Sequence, residues 1–245
     1  MTEALLEVRG LGKRFGGFVA LEDIALDVHR GERVGLIGPN GSGKSTLVNC
    51  LSGIQRHDAG SVRFDGRAFD GLPAYQRTRL GLARSFQLPK PFRSLTVVQN
   101  LHVPLLFTAK HRGGAMLSTA EIDARCEELL AMVSLQDKAN ARPRDLTQIE
   151  MRKLELARAM AAAPKLLIAD EAMAGLSHSE VDDILALLVK LNQSGVTVIL
   201  IEHIMRAVMS FSQRLVCLVA GKKIADGAPQ DVVRNPDVER AYLGE

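Results

Sequence analysis

The sequence predicts an α/β fold built around a phosphate-binding loop, and three observations carry that prediction. An apolar strand, Arg33-Val34-Gly35-Leu36-Ile37, runs into Gly38-Pro39-Asn40-Gly41-Ser42-Gly43-Lys44-Ser45-Thr46. This stretch satisfies G-x-x-x-x-G-K-[ST] at every fixed position, and Ser45 to Leu51 reads as the helix that follows. Two later runs, Leu166-Leu167-Ile168-Ala169 and Val196 to Ile201, are near-continuously apolar, as parallel strands covered on both faces are. Between the two halves, residues 88–163 read as mainly helical.

The remaining elements follow in chain order. Leu5 to Leu11 and Phe18 to Val28 read as strands joined through Arg14-Phe15-Gly16-Gly17. Ser61 to Phe64 and Arg67 to Phe69 flank Asp65-Gly66, a strong hairpin signal. Up to about Phe86 the pattern therefore combines antiparallel strands with one P-loop unit. Ser118-Thr119-Ala120-Glu121 is a capping box that opens a helix with Ile122, Leu129, Leu130 and Val133 on one side and a Glu121–Arg125 pair. Lys110 to Gly114 reads as a loop, and Pro164 closes the next long helix. A second capping box, Ser177 to Glu180, opens a helix carrying Val181, Ile184, Leu185, Leu188 and Leu191 that ends at Gly195. Met205 and Met209 read as helix packing.

Composition narrows the class. Hydrophobic residues make up 47% of the 245 and charged residues 24%, the profile of a soluble globular chain. The net charge of +3 is too small and too scattered to argue for nucleic acid. Cys50, Cys126 and Cys217 lie far apart without a C-x-x-C pair, so neither a disulfide framework nor a zinc site is expected, and a reducing compartment is. No apolar run reaches the length of a membrane span, and Met1 to Ala4 opens without the pattern of a secretory signal. Work at a membrane would need a partner to hold the chain there.

Two motifs carry chemistry. In the P-loop, glycines let the backbone aim several N–H groups at a polyphosphate, Lys44 supplies a point charge to the β- and γ-phosphates, and the Ser45 hydroxyl suits Mg2+. The strand ending in Asp170-Glu171 places one acid to hold Mg2+ through water and a second to orient or polarise an attacking water.

With these residues in place, the whole chain resembles the ATP-binding cassette (ABC) ATPases. The resemblance implies a P-loop (RecA-like) ATPase core with an N-terminal antiparallel β subdomain and an inserted helical subdomain. Residues 1–87 and 164–245 would form the core, and 88–163 the helical part. It implies that Phe15 stacks on adenine and that Gly38 to Thr46 binds ATP. Gln87 would contact Mg2+ and water, and Asp170 and Glu171 would be the Walker B pair. Ala174 to Ser177 falls at the D-loop, and His203 would contact the γ-phosphate. His29, His57, His102, His111 and His178 have no such support and are read as structural. Leu146-Thr147-Gln148-Ile149-Glu150 stands where the family has its LSGGQ signature. Thr147 keeps a hydroxyl, but Gln148 and Ile149 replace both glycines and Glu150 replaces a neutral amide. An acid misplaced beside an anion costs about 1–4 kcal/mol.

In that family two cassettes face head to tail, so each signature covers the nucleotide on the partner's P-loop. The departure implies an asymmetric heterodimer, with the opposite site binding more than it turns over; the alternative is that Thr147 and the backbone suffice. The segments Arg14 to Leu21, Ala83 to Gln87 and Asn235 to Gly244 are similar to the branched-chain amino acid importer ATPases. Lipopolysaccharide-export ATPases have similar ends, and a regulatory cassette is a third reading. The implied partners are integral membrane permease subunits, a second ABC ATPase subunit and, indirectly, a substrate-binding protein, at the cytoplasmic face of the cell membrane. The helical lobe and the loop after Gln87, with Pro89, Pro91, Phe92 and Leu95, are the expected docking surface for a membrane subunit.

Overall fold

The computed structural model describes residues 4–86, 89–109 and 117–243. Along the chain run β1 (Ala4–Phe15), β2 (Phe18–His29), β3 (Arg33–Ile37), α1 (Lys44–Ser52), β4 (Ala59–Phe64), β5 (Arg67–Ala68), α2 (Ala74–Leu80) and β6 (Leu82–Ser85). Then come α3 (Val97–Ala109), α4 (Thr119–Val133), α5 (Gln148–Ala161), β7 (Leu166–Asp170), α6 (His178–Gln193) and β8 (Thr197–Ile201). The chain closes with α7 (Met205–Phe211), β9 (Arg214–Val219), β10 (Lys222–Gly227), α8 (Pro229–Val233) and α9 (Pro236–Leu243).

Two sheets organise these elements. One is four-stranded and antiparallel, in the order β2-β1-β4-β5. The Asp65-Gly66 turn joins its last two strands with both residues at positive φ, 53° and 72°, the geometry that matches hairpin twist. The other is six-stranded, in the order β10-β9-β3-β8-β7-β6, parallel except for β10.

Alternation along the parallel strands feeds two separate cores. Leu166, Ile168, Ile199 and Ile201 join β1, β2 and α1 side chains in the space between the sheets. Leu167, Ala169, Val198 and Leu200 face α3, α4, α5 and α6. That double duty explains why these strands read as continuous apolar runs. A third cluster joins Ile37 to Val208, Leu215, Cys217, Val232 and Val238. Each cysteine sits in a different cluster, and burial pushes all three thiols up to about 11, so they pack and do not react.

The structure corrects several expectations. Residues 69–86 hold a helix, α2, and a parallel edge strand, β6, in place of more antiparallel strand. Four residues containing Arg84 have too little period to announce a strand; β7 supplies the register. Phe15 ends β1 and pairs with Phe18, so only Gly16-Gly17 forms the turn. The Glu121 carboxylate is held by Ser118 in the capping box, and Arg125 pairs with Glu128 instead, at 2.9 Å. Lys110 to Gly114 lies outside the described residues.

Arg77 of α2 is the least expected core residue. Its buried guanidinium donates to the carbonyls of Cys50 (2.7 Å), Leu51 (2.8 Å), Leu72 (2.9 Å) and Phe69 (2.9 Å). Two of these are terminal carbonyls of α1, where a cation is favoured. Arg77→Met removes the donors of all four, leaving the buried Leu51 carbonyl without its Arg77 partner and the Cys50 and Phe69 carbonyls with the backbone N–H groups of Gly53 and Leu72 alone, and is expected to lower stability by about 1–3 kcal/mol. Urea denaturation reads this directly; an unchanged midpoint would assign the packing to the stem alone.

Candidate active site

The site forms at one carboxyl edge of the parallel sheet, where the loops after β3, β8, β7 and β6 emerge side by side. Leu36 and Asp170 both pair with Ile201, on either side of it, and Ser85 pairs with Ala169. The P-loop, His203, the Asp170-Glu171 pair and the loop containing Gln87 therefore arise from neighbouring strand ends, the usual ligand edge of such sheets.

Gly38 begins the P-loop under tight constraint. At its φ of 148°, a Cβ would lie 2.1 Å from the Leu218 carbonyl oxygen, so only glycine fits. Pro39 is half-buried, Asn40 and Gly41 are exposed, and Ser42 is buried with its carbonyl accepting from the Gly221 N–H at 3.0 Å. Lys44 Nζ donates to the carbonyls of Gly38 (2.7 Å) and Pro39 (3.1 Å). Burial pushes this ammonium below the ordinary lysine range, and the charges of Glu171 and Asp170 oppose that shift.

Helix N-termini divide into two kinds. α1 starts after Gly43 with no side-chain cap and no acid in its first turn, which contains Ser45 and Thr46. α4, α5 and α6 each carry a complete capping box. The first N–H groups of α1, directly after the P-loop, are thus open to an anion. Phe15, 46% exposed, offers a ring face, with Lys13 Nζ 5.5 Å from its centroid.

Asp170 ends β7. Its Oδ2 accepts from Arg84 Nη2 (2.6 Å) and Nε (3.2 Å), while Arg84 Nη1 reaches Asn49 Oδ1 (2.7 Å). The other carboxylate oxygen makes no hydrogen bond among the described residues. Ser45 is exposed, and its hydroxyl makes none either. Two hard oxygen donors fit Mg2+. Gln87, the third expected ligand, lies outside the described residues. The stems of its loop are tied to α5: Phe86 N–H donates to Glu155 Oε1 (3.1 Å), and Arg158 Nη1 donates to the Lys90 carbonyl (2.9 Å).

Glu171 adopts φ 48°, rare for a side chain of this kind, and its N–H donates to the Ile201 carbonyl at 2.9 Å. This turns its carboxylate to His203, whose Nε2 lies 3.2 Å from Oε1. A hydrogen bond to an ionised carboxylate requires the proton on Nε2. Sequence reasoning missed the residue that sets this geometry. Glu202, buried, accepts from the N–H of Met173 (2.8 Å) and of His203 (3.3 Å), joining the loops after β7 and β8. Burial pushes its carboxyl up, and the two N–H donors oppose it. An acid buried at the end of an apolar strand was the available signal.

Thr147 is elsewhere: it forms no hydrogen bond with the P-loop, Asp170 or Glu171 among the described residues. It is the N-cap of α5. Its hydroxyl accepts from Glu150 N–H (3.3 Å), and Glu150 Oε2 accepts from Thr147 N–H (2.8 Å). The Thr147 N–H holds the Glu150 carboxyl below the usual range. Gln148 Nε2 and Arg152 Nη2 both donate to the Ala174 carbonyl, at 3.2 and 3.3 Å.

A family model described as ABC transporter matches residues 21–174, and one described as branched-chain amino acid ATP-binding cassette transporter matches residues 222–245. The chain is 40% identical to the high-affinity branched-chain amino acid transport ATP-binding protein BraF of Pseudomonas aeruginosa, over 100% of both chains. It is 38% identical to the corresponding protein LivG of Salmonella typhimurium, again over 100% of both. Among solved structures, it matches the ADP conformation of an ABC transporter cassette with a TM-score of 0.88, at 28% identity over 100% of both chains. A dimeric cassette in a post-hydrolysis state, bound to ADP and Pi, matches with a TM-score of 0.80, at 28% identity over 91% of this chain and 98% of that one.

Glu171→Gln keeps the side-chain volume and removes the basic oxygen. In the assembled transporter it is expected to slow ATP turnover by on the order of 100-fold or more while leaving ATP affinity unchanged. Single-turnover kinetics beside equilibrium binding check this; an unchanged rate would remove Glu171 from the chemistry.

Proposed function

The chain belongs to the ABC transporter family of ATP-binding cassettes, and from that premise we propose that it is the ATP-hydrolysing subunit that powers a branched-chain amino acid importer. The grouping of P-loop, Asp170-Glu171 and His203 at one strand edge carries the reading, in a chain alignable end to end with such subunits. The C-terminal match at 222–245 supports amino acid import over lipopolysaccharide export.

In this reading Phe15 stacks on adenine, and the open N-terminus of α1 with Lys44 binds the phosphates. Ser45, Asp170 and Gln87 would hold Mg2+, which when bound would offset phosphate charge. Glu171 takes the proton of the attacking water, and the His203 Nε2–H steadies the γ-phosphate. Closure of a cassette dimer on ATP, and its reopening after hydrolysis, drives the transporter. We read 88–163 as a helical subdomain that moves in that step.

No helix among the described residues is long and apolar enough to cross a membrane, so integral permease subunits would hold the chain at the cytoplasmic membrane face. A groove lined by Ile54, Phe86, Lys90, Pro104, Glu155 and Arg158 is the docking site we favour. Phe92, 42% exposed beneath Arg158, stands nearby. Phe92→Asp is expected to abolish co-purification with the permease while ATP binding by the isolated chain persists. Intact assembly and transport would move the docking site elsewhere.

The capping box at Thr147 and Glu150 favours a finer reading: this chain works beside an unlike ATPase subunit. The helix end that would meet the partner's γ-phosphate already holds a carboxylate, kept ionised by the N–H it accepts from. The site on this chain's own Walker motifs, covered by an intact signature from the other subunit, does the hydrolysis. In the assembled transporter, Glu171→Gln is then expected to abolish steady-state turnover, and the equivalent change in the second ATPase to leave most of it. The isolated chain binds ATP without turning it over. Equal loss from either substitution, or robust turnover by this chain alone that Glu171→Gln removes, overturns the asymmetry.

A further inference from the structure

The family-specific C-terminus reaches the P-loop. Gly38 N–H donates to the Tyr242 hydroxyl at 2.8 Å, across 204 residues of sequence. The neighbouring Gly38 carbonyl accepts from Lys44 Nζ at 2.7 Å. Tyr242 and Lys44 therefore hold the same residue, one through its N–H and one through its carbonyl. Gly38 also lies so close to the Leu218 carbonyl that no side chain fits there.

The packing beneath this contact is continuous with the sheet. Val238, one turn before Tyr242 on α9, is buried in the cluster that contains Ile37, the last residue of β3. α9 thus packs beneath the residue that leads into the loop, and Tyr242 reaches one position further. The cavity lined by Ile37, Met205, Val233, Val238, Glu239 and Tyr242 leaves this dock incompletely filled.

We propose that α9 is a strap on the P-loop and that Tyr242 is a positioning residue for nucleotide binding, its hydroxyl fixing the Gly38 peptide. The reason lies in what Lys44 must do. A phosphate would draw the ammonium, with its three N–H donors, partly away from the Gly38 carbonyl. Gly38 then keeps the Tyr242 hydrogen bond as the polar tie that stops its peptide from rotating and carrying the following loop with it. Burial pushes the Tyr242 hydroxyl above its ordinary range, so it stays neutral and keeps its own proton while it accepts. Coupling of this kind is reciprocal: what the strap does for ATP affinity, ATP does for the order of the strap. The inference rests on the P-loop binding ATP and on no statement about partner subunits or transport.

The test uses the isolated chain. Tyr242→Phe keeps the ring and removes the hydroxyl. Its ATP dissociation constant, by calorimetric titration with Mg2+, is expected to rise on the order of 3- to 10-fold, and its melting temperature to fall by about 2–4 °C because the buried Gly38 N–H loses its acceptor. In the parent, ATP is expected to slow backbone hydrogen exchange across residues 236–243, and in the variant this protection is lost. Glu239→Gln, on the same helix beside the same cavity, is expected to behave as the parent in both readouts. Equal ATP affinity of parent and Tyr242→Phe overturns the strap alone, as does exchange at 236–243 that ignores ATP in the parent. The same losses in Glu239→Gln would assign the effect to general loosening of α9 and overturn the role of the hydroxyl. A parent that binds no ATP would overturn the nucleotide reading itself.

Discussion

The backbone of Ile201 is the constraint on which the site depends. It lies in the strand between β3 and β7, paired with Leu36 on one side and Asp170 on the other. Its carbonyl accepts the Glu171 N–H, which holds that residue at positive φ. Two residues further along comes His203. One position in a parallel ladder thus fixes where the P-loop starts, where Asp170 ends β7 and where the acid–imidazole pair meets. A register slip of one residue would exchange the two core faces of β8, moving Ile199 and Ile201 out of the inter-sheet core and Val198 and Leu200 into it. The apolar pattern of the strand therefore protects the geometry of the polar site above it.

Electrostatics at helix ends divides the molecule's surface into places that await an anion and places that do not. Each N-terminus carries about half a positive charge and unpaired N–H groups. α1 leaves them open, while α4, α5 and α6 use Ser or Thr with Glu to satisfy their own. For α4 and α6 this is ordinary helix stabilisation. For α5 the same device stands at Thr147 and Glu150, so its first N–H groups are already answered from within the chain.

Local features were legible in the sequence, and long-range ones were not. β3 and its loop, β7, β8 and the capping boxes at Ser118 and Ser177 depend on residues a few positions apart, and they stand where the pattern put them. β6 was invisible because Leu82 to Ser85 becomes a strand only through β7. The Glu121–Arg125 pair failed because one carboxylate cannot cap its helix and pair with Arg125 at once. Arg84, Glu202 and Tyr242 act on residues 86, 29 and 204 positions away, distances at which a single sequence carries no pairing signal.

These long-range contacts share a physical logic. Every charged group that the nucleotide would engage already has an internal partner: Lys44 on P-loop carbonyls, Asp170 on Arg84, Glu171 on His203. An unpaired charge in such partly buried positions would cost several kcal/mol. At these charges, binding would be in part an exchange of partners. A phosphate would compete with the loop carbonyls for Lys44, and a cation would share the Asp170 carboxylate with Arg84. The groups left without a charged substitute, the Gly38 peptide above all, are then the ones whose positions the surrounding fold must hold by itself.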